Sequence, residues 1–246
     1  MKQVQEEDRQ KRTPYYYTSE DVAAKYLSTN RSGLFELEEE AIEQYFTELK
    51  TKVLDIGCGT GRTTRVFERM GYNVVGIDLT KDFVNHARTF VPGADFVAGN
   101  AYSLPFRDQT FQYACFSYNG IDDIAPEENR YEALREIHRV LNPGGIFVFS
   151  SRNLYSTYAL RSFDWAGVRK YVDFWIQNVR QGRLFSRYNL DNTVVGEPRI
   201  RQHIRPSDQK QQLRNCGFEV LDVLRTDGIL EPYFHHPYYV ARKPDS

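Results

Sequence analysis

The sequence has little of several features that would assign a protein class at once. No apolar run approaches the ~18 residues that a membrane-spanning helix needs, and the first residues, MKQVQEEDRQKR, lack the apolar core of a signal peptide. The formal net charge is only -1, whereas nucleic-acid-binding domains are usually strongly basic. A chain of 246 residues can form one large α/β domain with a sizeable core.

Cysteine is equally scarce. The three cysteines, Cys58, Cys115 and Cys216, are far apart and lie among apolar residues or glycines. Their spacing is that of neither a metal site nor a disulfide framework. We therefore expect reduced, buried thiols, no bound metal, and a cytoplasmic protein.

What the sequence does contain is a regular alternation of short apolar runs and helical stretches. Strands are predicted at 52–56, 73–77, 95–98, 111–117 and 146–150, with helices at 61–70, near 81–90 and at 127–141. A helix at 207–216 and strands at 218–224 and 238–241 follow. Strands that alternate with helices in this way predict βαβ units and a parallel sheet.

Two stretches fall outside this alternation. Residues 1–13 are polar and predict a disordered tail, and residues 14–50 predict helices. One of these helices has glutamates on one face and an apolar face made of Leu34, Leu37, Ala41, Ile42, Tyr45, Phe46 and Leu49. Residues 153–205 contain both tryptophans and predict a helical insertion. Its apolar stripe, expected to pack on the main domain, consists of Val168, Tyr171, Val172, Trp175, Ile176 and Val179.

The strongest local signal is V-L-D-I-G-C-G-T-G over residues 53–61, a buried strand followed by a glycine-rich turn and a helix. Glycine permits positive φ angles and lets the backbone approach a ligand closely. A dinucleotide site requires G-x-G-x-x-G, but here the spacing is G-x-G-x-G and the sixth position is Arg62. Asp55, two residues before the first glycine, is poorly placed for a pyrophosphate and well placed for a cation.

This segment resembles the first motif of the class I S-adenosylmethionine-dependent methyltransferases, in the branch that acts on small molecules. Further segments resemble that family's motifs in the same order. They are V-G-I-D at 75–78, G-N-A at 99–101 with L-P-F at 104–106, R-V-L-N-P-G-G at 139–145, and H-I-R-P-S through C-G-F at 203–218. The matches span most of residues 50–150 and 203–242.

The resemblance implies an α/β fold with a Rossmann-like, mostly parallel sheet of seven strands in the order 3-2-1-4-5-7-6. The last strand is antiparallel, helices flank the sheet, and an α-helical lid is inserted after the fifth strand. The cofactor-binding core then covers residues 51–152, the lid 153–205, and the C-terminal part of the sheet 206–246. The helices of residues 14–50 are expected to cover the cofactor site.

The cofactor implied by the resemblance is S-adenosyl-L-methionine. Its expected contacts are Asp55, Gly57, Cys58, Gly59, Gly61, Asp78, Leu79, Asn100, Ala101 and Ser117, with Tyr17 and Tyr26 from the leading helices. Asp78 follows the second strand, where a carboxylate can accept hydrogen bonds from both ribose hydroxyls. Asn100 stands where the family usually has Asp. Its amide oxygen can still bond the adenine amino group, but without a charge, so the affinity can differ.

Methyl transfer from a sulfonium depends mainly on positioning and on the exclusion of water. Ligands of parallel sheets lie beyond the carboxyl ends of the strands, which places residues 117–123 near the transferred methyl group. Tyr118 and Asn119 are candidates to orient the acceptor, and Asp122 to take a proton, with a helix cap or a solvated side chain as the alternative for Asp122. His203 is a second candidate base, with a purely structural histidine as the alternative.

The sequence leaves several functions open. The first is methylation of a small-molecule oxygen or nitrogen, with carbon as a further option. Residues 161–205 contain nine lysines and arginines against four acids, which favours either a solvated surface or a lid for an acidic acceptor. The second is an RNA (tRNA) methyltransferase that uses this basic aromatic insertion, which the net charge disfavours. The third is a non-catalytic cofactor-binding regulator. We expect no membrane partner, and a monomer or homodimer.

Overall fold

A computed structural model describes residues 33–153, 188–191, 199–225 and 236–245, together with Arg169, Val172, Trp175, Ile176 and residues 178–180. The predictions for residues 1–32, including the contacts of Tyr17 and Tyr26, lie outside the described residues.

The described helices and strands follow the predicted alternation. The helices are α1 (Glu36–Tyr45), α2 (Arg62–Arg69), α3 (Lys81–Phe90), α4 (Glu127–Val140) and α5 (Pro206–Asn215), with a short 3-10 helix at Gly120–Asp123. The strands are β1 (Lys52–Ile56), β2 (Asn73–Asp78), β3 (Asp95–Ala98), β4 (Phe111–Phe116), β5 (Leu141–Ser150), β6 (Tyr188–Asp191), β7 (Arg199–Gln202), β8 (Glu219–Leu224) and β9 (Tyr238–Arg242).

Seven strands form one sheet in the order β3-β2-β1-β4-β5-β9-β8. Strands β1 to β5 are parallel, and β9 runs antiparallel to both β5 and β8. This confirms the predicted order, with the last strand antiparallel between the fifth and the sixth. The two faces of β1 enter different parts of the core, since Val53 packs in one apolar cluster and Leu54 in another. Apolar residues on both faces are typical of a parallel strand covered by helices.

Most boundaries agree with the sequence prediction to within one residue, and the larger differences in α1 and β5 have reasons in the tertiary structure. Helix α1 ends at Tyr45, and Phe46 leaves the helix to stack on Tyr113 with ring centroids 4.2 Å apart. Strand β5 begins at Leu141, earlier than predicted, because Leu141 already pairs with Phe111. A register shift then accommodates Gly144, which has φ +73° and donates its N–H to the Lys243 carbonyl at 2.9 Å.

The sequence predicted a helical insertion, but part of the described insertion forms β-strands. Residues of β6 and β7 pair as an antiparallel ribbon, Tyr188 with Gln202 and Asp191 with Arg199. The predicted helix is present at its described residues, but Val172, Ile176 and Val179 are 45%, 41% and 51% exposed. These three side chains do not pack on the main domain, whereas Trp175 is half-buried and Val168 and Tyr171 lie outside the described residues, so the packing of the whole stripe stays a prediction.

The described residues contain no helix that is long and apolar enough to cross a membrane. All three cysteines are buried and free, as predicted. Burial raises the pKa of the Cys58 and Cys115 thiols well above the ordinary value, which keeps these side chains protonated.

Candidate active site

The candidate site lies where β1, β2, β4 and β5 end, because parallel strands bring their carboxyl ends to one edge of the sheet. The loop after β1, residues 57–61, is called the glycine loop below. The segments after β4 and β5, residues 117–123 and 150–153, and the end of the insertion, residues 201–203, form the second half of the site, called the polar half.

The glycine loop holds a backbone conformation that other residues rarely adopt. Gly57 and Gly59 have φ angles of +62° and +55°. A Cβ at Gly57 would lie 2.7 Å from the Phe116 ring, whereas one at Gly59 would meet no atom within 4 Å. Gly57 therefore allows the loop to pack on β4, and Gly59 leaves an open face on which a ligand can lie against the backbone.

Asp55, in β1, lies buried beneath this loop. Its Oδ2 accepts hydrogen bonds from the Thr63 and Thr64 hydroxyls, both at 2.6 Å, while its Oδ1 is buried with no hydrogen-bond partner. Burial raises the pKa of Asp55 to about 6, against the opposing effect of the two threonines. A carboxylate with one unsatisfied oxygen is suited to a cationic ligand group.

Asp78, at the end of β2, orders the loop from its other side. Its Oδ2 accepts the Gly59 N–H and its Oδ1 the Thr80 N–H, both at 2.8 Å. Burial raises its pKa, while these backbone hydrogen bonds lower it. Each oxygen keeps lone pairs for a further donor. Leu79, the next residue, is 49% exposed and presents an apolar side chain beside this carboxylate.

Asn100 and Ala101 follow β3, next to Asp78 in the sheet, since Ala98 pairs with Asp78. Asn100 forms a bridge with Ser103, and its Oδ1 accepts the Tyr102 N–H at 3.3 Å. The amide oxygen that the sequence assigned to an adenine amino group is therefore already bonded within its own turn. A second lone pair remains for a ligand.

Sequence reasoning missed Glu38, Thr63 and Thr64. Glu38 is fully buried in α1, although all the glutamates of that helix were expected on its polar face. The signal was present, because position 38 follows Leu34 by four residues and so shares the apolar face. Glu38 forms a bidentate ion pair with Arg62, whose Nη1 and Nη2 lie 2.8 and 3.1 Å from its two oxygens.

In the polar half, residues 117–119 turn sharply after β4. Tyr118 and Asn119 have φ angles of +56° and +58°, and Tyr118 is 43% exposed. The Asn119 N–H donates to Ser150 Oγ at 2.8 Å, which ties the end of β4 to that of β5. Asn119 Oδ1 is buried and has no hydrogen-bond partner in the described part of the chain.

Asp122 does not have the surroundings of a base. It is fully buried, its Oδ1 accepts from Arg130 Nη1 at 3.0 Å and from Ser151 Oγ at 2.7 Å, and its Oδ2 accepts the Arg152 N–H at 2.5 Å. Burial raises its pKa, and Arg130 and Arg152 act against that shift. These contacts favour a structural role. The neighbouring Asp123 accepts a hydrogen bond from Arg201 Nε at 3.0 Å, which links β7 to the segment after β4.

His203 lies between β7 and α5 at the same edge of the sheet. It is 3% exposed, and the next residue, Ile204, bridges to Asn153 just beyond β5. Gln202, the preceding residue, is fully buried, and neither its Oε1 nor its Nε2 has a hydrogen-bond partner among the described residues. His203 thus lies at this edge of the sheet, where its role as a base stays a prediction, and Gln202 adds an amide that the sequence did not indicate.

Comparison with known proteins agrees with this geometry. A family model described as a methyltransferase domain matches residues 54–149. A demethylmenaquinone methyltransferase from Paenarthrobacter aurescens is 32% identical over 120 residues, 45% of this chain and 46% of that protein. The ubiquinone/menaquinone biosynthesis C-methyltransferase UbiE of Campylobacter jejuni is 29% identical over 185 residues, 70% of this chain and 72% of that protein.

A crystal structure of an S-adenosylmethionine-dependent methyltransferase from Methanosarcina mazei has the same fold. Its TM-score is 0.66 at 21% identity, covering 87% of this chain and all of the other. The chain is similar to class I S-adenosylmethionine-dependent methyltransferases in its fold and over residues 54–149, where the methyltransferase domain model matches. It spans about half the length of several curated relatives that it matches.

For a member of this methyltransferase family, the cofactor is S-adenosyl-L-methionine, and the glycine loop fits it. The open face at Gly59 would be filled by any side chain, and the buried Asp55 Oδ1 lacks a partner that a cationic ligand could supply. The sequence mismatch with a dinucleotide site also has a structural reason. Arg62, at the position where that motif needs glycine, is buried in its ion pair with Glu38.

Proposed function

We propose that this chain transfers the methyl group of S-adenosyl-L-methionine to a ring carbon of a reduced, quinone-like small molecule. Support for the reaction comes from the family and from the geometry of the glycine loop. Support for the acceptor comes from the two relatives named for quinone methylation, one of them a C-methyltransferase, and from the polar half. The proposal therefore replaces the oxygen or nitrogen acceptor expected from the sequence by carbon.

On the cofactor side, the backbone of residues 57–61 holds the methionine part, and Asp55 faces its ammonium group. Asp78 accepts the ribose hydroxyls with its remaining lone pairs, and Leu79 contacts the adenine face. Asn100, Ala101, Cys58 and Ser117 line the rest. The bound cofactor supplies an activated methyl group on a sulfonium, so the chain has only to position the acceptor and exclude water.

Two buried amides carry the assignment of the acceptor site. Unpaired buried polar atoms are costly, and Asn119 Oδ1 and both polar atoms of Gln202 lack partners in the described structure. An acceptor with two hydroxyl groups can satisfy all three atoms. One hydroxyl donates to Asn119 Oδ1, and the other accepts from Gln202 Nε2 and donates to Gln202 Oε1. The exposed ring of Tyr118 offers a flat apolar surface for an aromatic acceptor.

His203 acts as the base in this proposal. Removing the phenolic proton of a quinol raises the electron density at the ring carbon beside the hydroxyl, which then bonds the methyl carbon while the bond from that carbon to the donor sulfur breaks and its electron pair stays on the sulfur, leaving a neutral thioether. The proton of the ring carbon is lost afterwards, which restores the aromatic ring. Asp122 is left out of this role because its oxygens are engaged by Arg130, Ser151 and Arg152.

Two arginines at the end of the insertion, Arg201 and Arg205, give an acidic acceptor little support. Arg201 is paired with Asp123 at 3.0 Å, and Arg205 with Asp208 at 3.3 Å. Guanidinium groups that already hold a carboxylate are poorly disposed to recognise a second one.

The experiment uses the purified chain with methyl-labelled S-adenosyl-L-methionine and a chemically reduced polyprenyl-naphthoquinone that lacks the ring methyl group. We expect the label on the ring carbon, with kcat strongly lowered in His203→Gln and KM for the quinol raised in Gln202→Leu. Gln211→Leu on the exposed face of α5 is the matched control and should behave as wild type. Transfer of the label to tRNA or to a carboxylic acid instead of the quinol would refute the proposal.

A further inference from the structure

Arg62 connects three segments of the candidate site that are far apart in the chain. Its Nη1 donates to the Gly33 carbonyl at 2.6 Å and to Glu38 at 2.8 Å, and its Nη2 to Ser117 Oγ at 2.9 Å. Because Arg62 directly follows Gly61, one side chain links the glycine loop, the start of α1 and the segment after β4.

Aromatic contacts extend this link to the acceptor segment. The Phe35 ring lies 4.5 Å from the Arg62 guanidinium carbon and also stacks on Tyr118, with ring centroids 5.6 Å apart. Ser117 Oγ also lies 3.3 Å from the Tyr238 hydroxyl. Arg62 thus contacts Ser117 directly and Tyr118 through the Phe35 ring.

The stability of α2 does not explain a guanidinium at this position. Arg62 is the first residue of α2, and a cation at a helix N-terminus is opposed by the helix dipole. Burying a charged pair is also costly, and apolar pairs of similar volume are often as stable. The arrangement therefore requires an explanation other than the strength of the fold.

We propose that Arg62, oriented by Glu38, is a positioning residue that fixes the acceptor segment, residues 117–119, relative to the glycine loop that holds the methyl donor. Glu38 holds two nitrogens of the guanidinium in one orientation. From that orientation Nη2 reaches Ser117. The inference rests on the proposed placement of the acceptor at Tyr118 and Asn119.

The test is the double variant Arg62→Met/Glu38→Leu, which removes the link without leaving an unpaired buried charge. We expect the Kd for S-adenosyl-L-methionine and the hydrogen-exchange rates of the amides of residues 117–119 each to rise about tenfold. The amides of β1 should exchange as in wild type. Arg69→Met, an exposed arginine at the other end of α2, is the matched control and should change neither quantity.

A folded double variant whose Kd and exchange rates at residues 117–119 stay within about twofold of wild type would overturn the proposal. If the double variant does not fold, Arg62→Lys serves instead. Lysine keeps the charge but lacks the fork that reaches both Glu38 and Ser117, so faster exchange at residues 117–119 is expected and unchanged exchange contradicts the inference.

Neither measurement requires an acceptor. Failure of the proposed function would appear as a quinol that gains no label, while the binding and exchange data still report on Arg62.

Discussion

The carboxylate buried beneath the glycine loop bonds residues of its own strand–turn–helix unit, whereas the carboxylate buried in the polar half also bonds a residue that lies beyond the next strand. Asp55 bonds Thr63 and Thr64, eight and nine residues away. By contrast, Asp122 bonds Arg152 across 30 residues. In the first case the strand–turn–helix unit creates the site as it forms, while in the second only the completed sheet brings the partners together.

This difference teaches where each kind of change should act. A substitution in the glycine loop alters a ligand surface that is backbone for the most part, so binding should suffer more than folding. A substitution in the buried network of the polar half removes a contact between distant elements, so folding should suffer first. Variants in each half of the site separate the two effects.

Gly59→Val should abolish measurable binding of S-adenosyl-L-methionine in calorimetry, because the side chain fills the open face of the loop. Gly71→Val is the matched control. Gly71 also has a positive φ, +89°, and open space around its Cβ position, but it lies at the other end of α2. Both variants carry backbone strain of about 1–2 kcal/mol, and only Gly59→Val should lose binding. Equal binding by the two variants would contradict the assignment of the loop.

Asp122→Asn should lower the free energy of unfolding by about 3–5 kcal/mol, because Arg130 keeps its charge in the interior without a counter-ion. Binding of S-adenosyl-L-methionine by the folded fraction should be unchanged. Chemical denaturation and calorimetry measure the two quantities. A variant of wild-type stability with no turnover would instead identify Asp122 as a base and remove the contrast between the two halves.

Asp55 should make the stability of the ligand-free protein depend on pH in an unusual direction. The pKa of Asp55 in the folded protein, about 6, lies above the ordinary 3.8. Its contribution to the free energy of unfolding is therefore fully present below pH 4 and is lost as the pH rises through 6. The loss amounts to about 3 kcal/mol. Asp55→Asn should lack this loss and bind S-adenosyl-L-methionine more weakly at pH 7.5. Parallel stability curves for the variant and wild type between pH 4 and 7 would argue against a raised pKa.

Asp78→Ala should weaken binding of S-adenosyl-L-methionine by roughly 1.5–3 kcal/mol, the range for hydrogen bonds to a charged group. The loss includes the loop ordering that comes from the bond to the Gly59 N–H. Asp82→Ala removes an exposed acid from the first turn of α3 and serves as the control. Equal affinities in the two variants would show that Asp78 does not contact the ribose.

The same contrast explains how much the sequence could predict. The limits of β1 and β3 agree with the structure, and the glycine loop could be found from spacing alone, because both depend on local pattern. The burial of Glu38 and the ion pairs of Asp122 depend on which helices and strands pack together in the folded protein. A charged residue type alone predicts an exposed side chain at these positions, and that prediction is wrong. Gln202 gave no signal in the sequence, since nothing local distinguishes a buried glutamine from an exposed one.

The central claim is that the glycine loop and Asp78 hold S-adenosyl-L-methionine rather than a dinucleotide. Calorimetric titration of the full chain with S-adenosyl-L-methionine and, separately, with NADH tests it most directly. The account predicts saturable one-to-one binding of S-adenosyl-L-methionine, displaced by S-adenosylhomocysteine, and no binding of NADH. Binding of NADH together with no binding of S-adenosyl-L-methionine would contradict it.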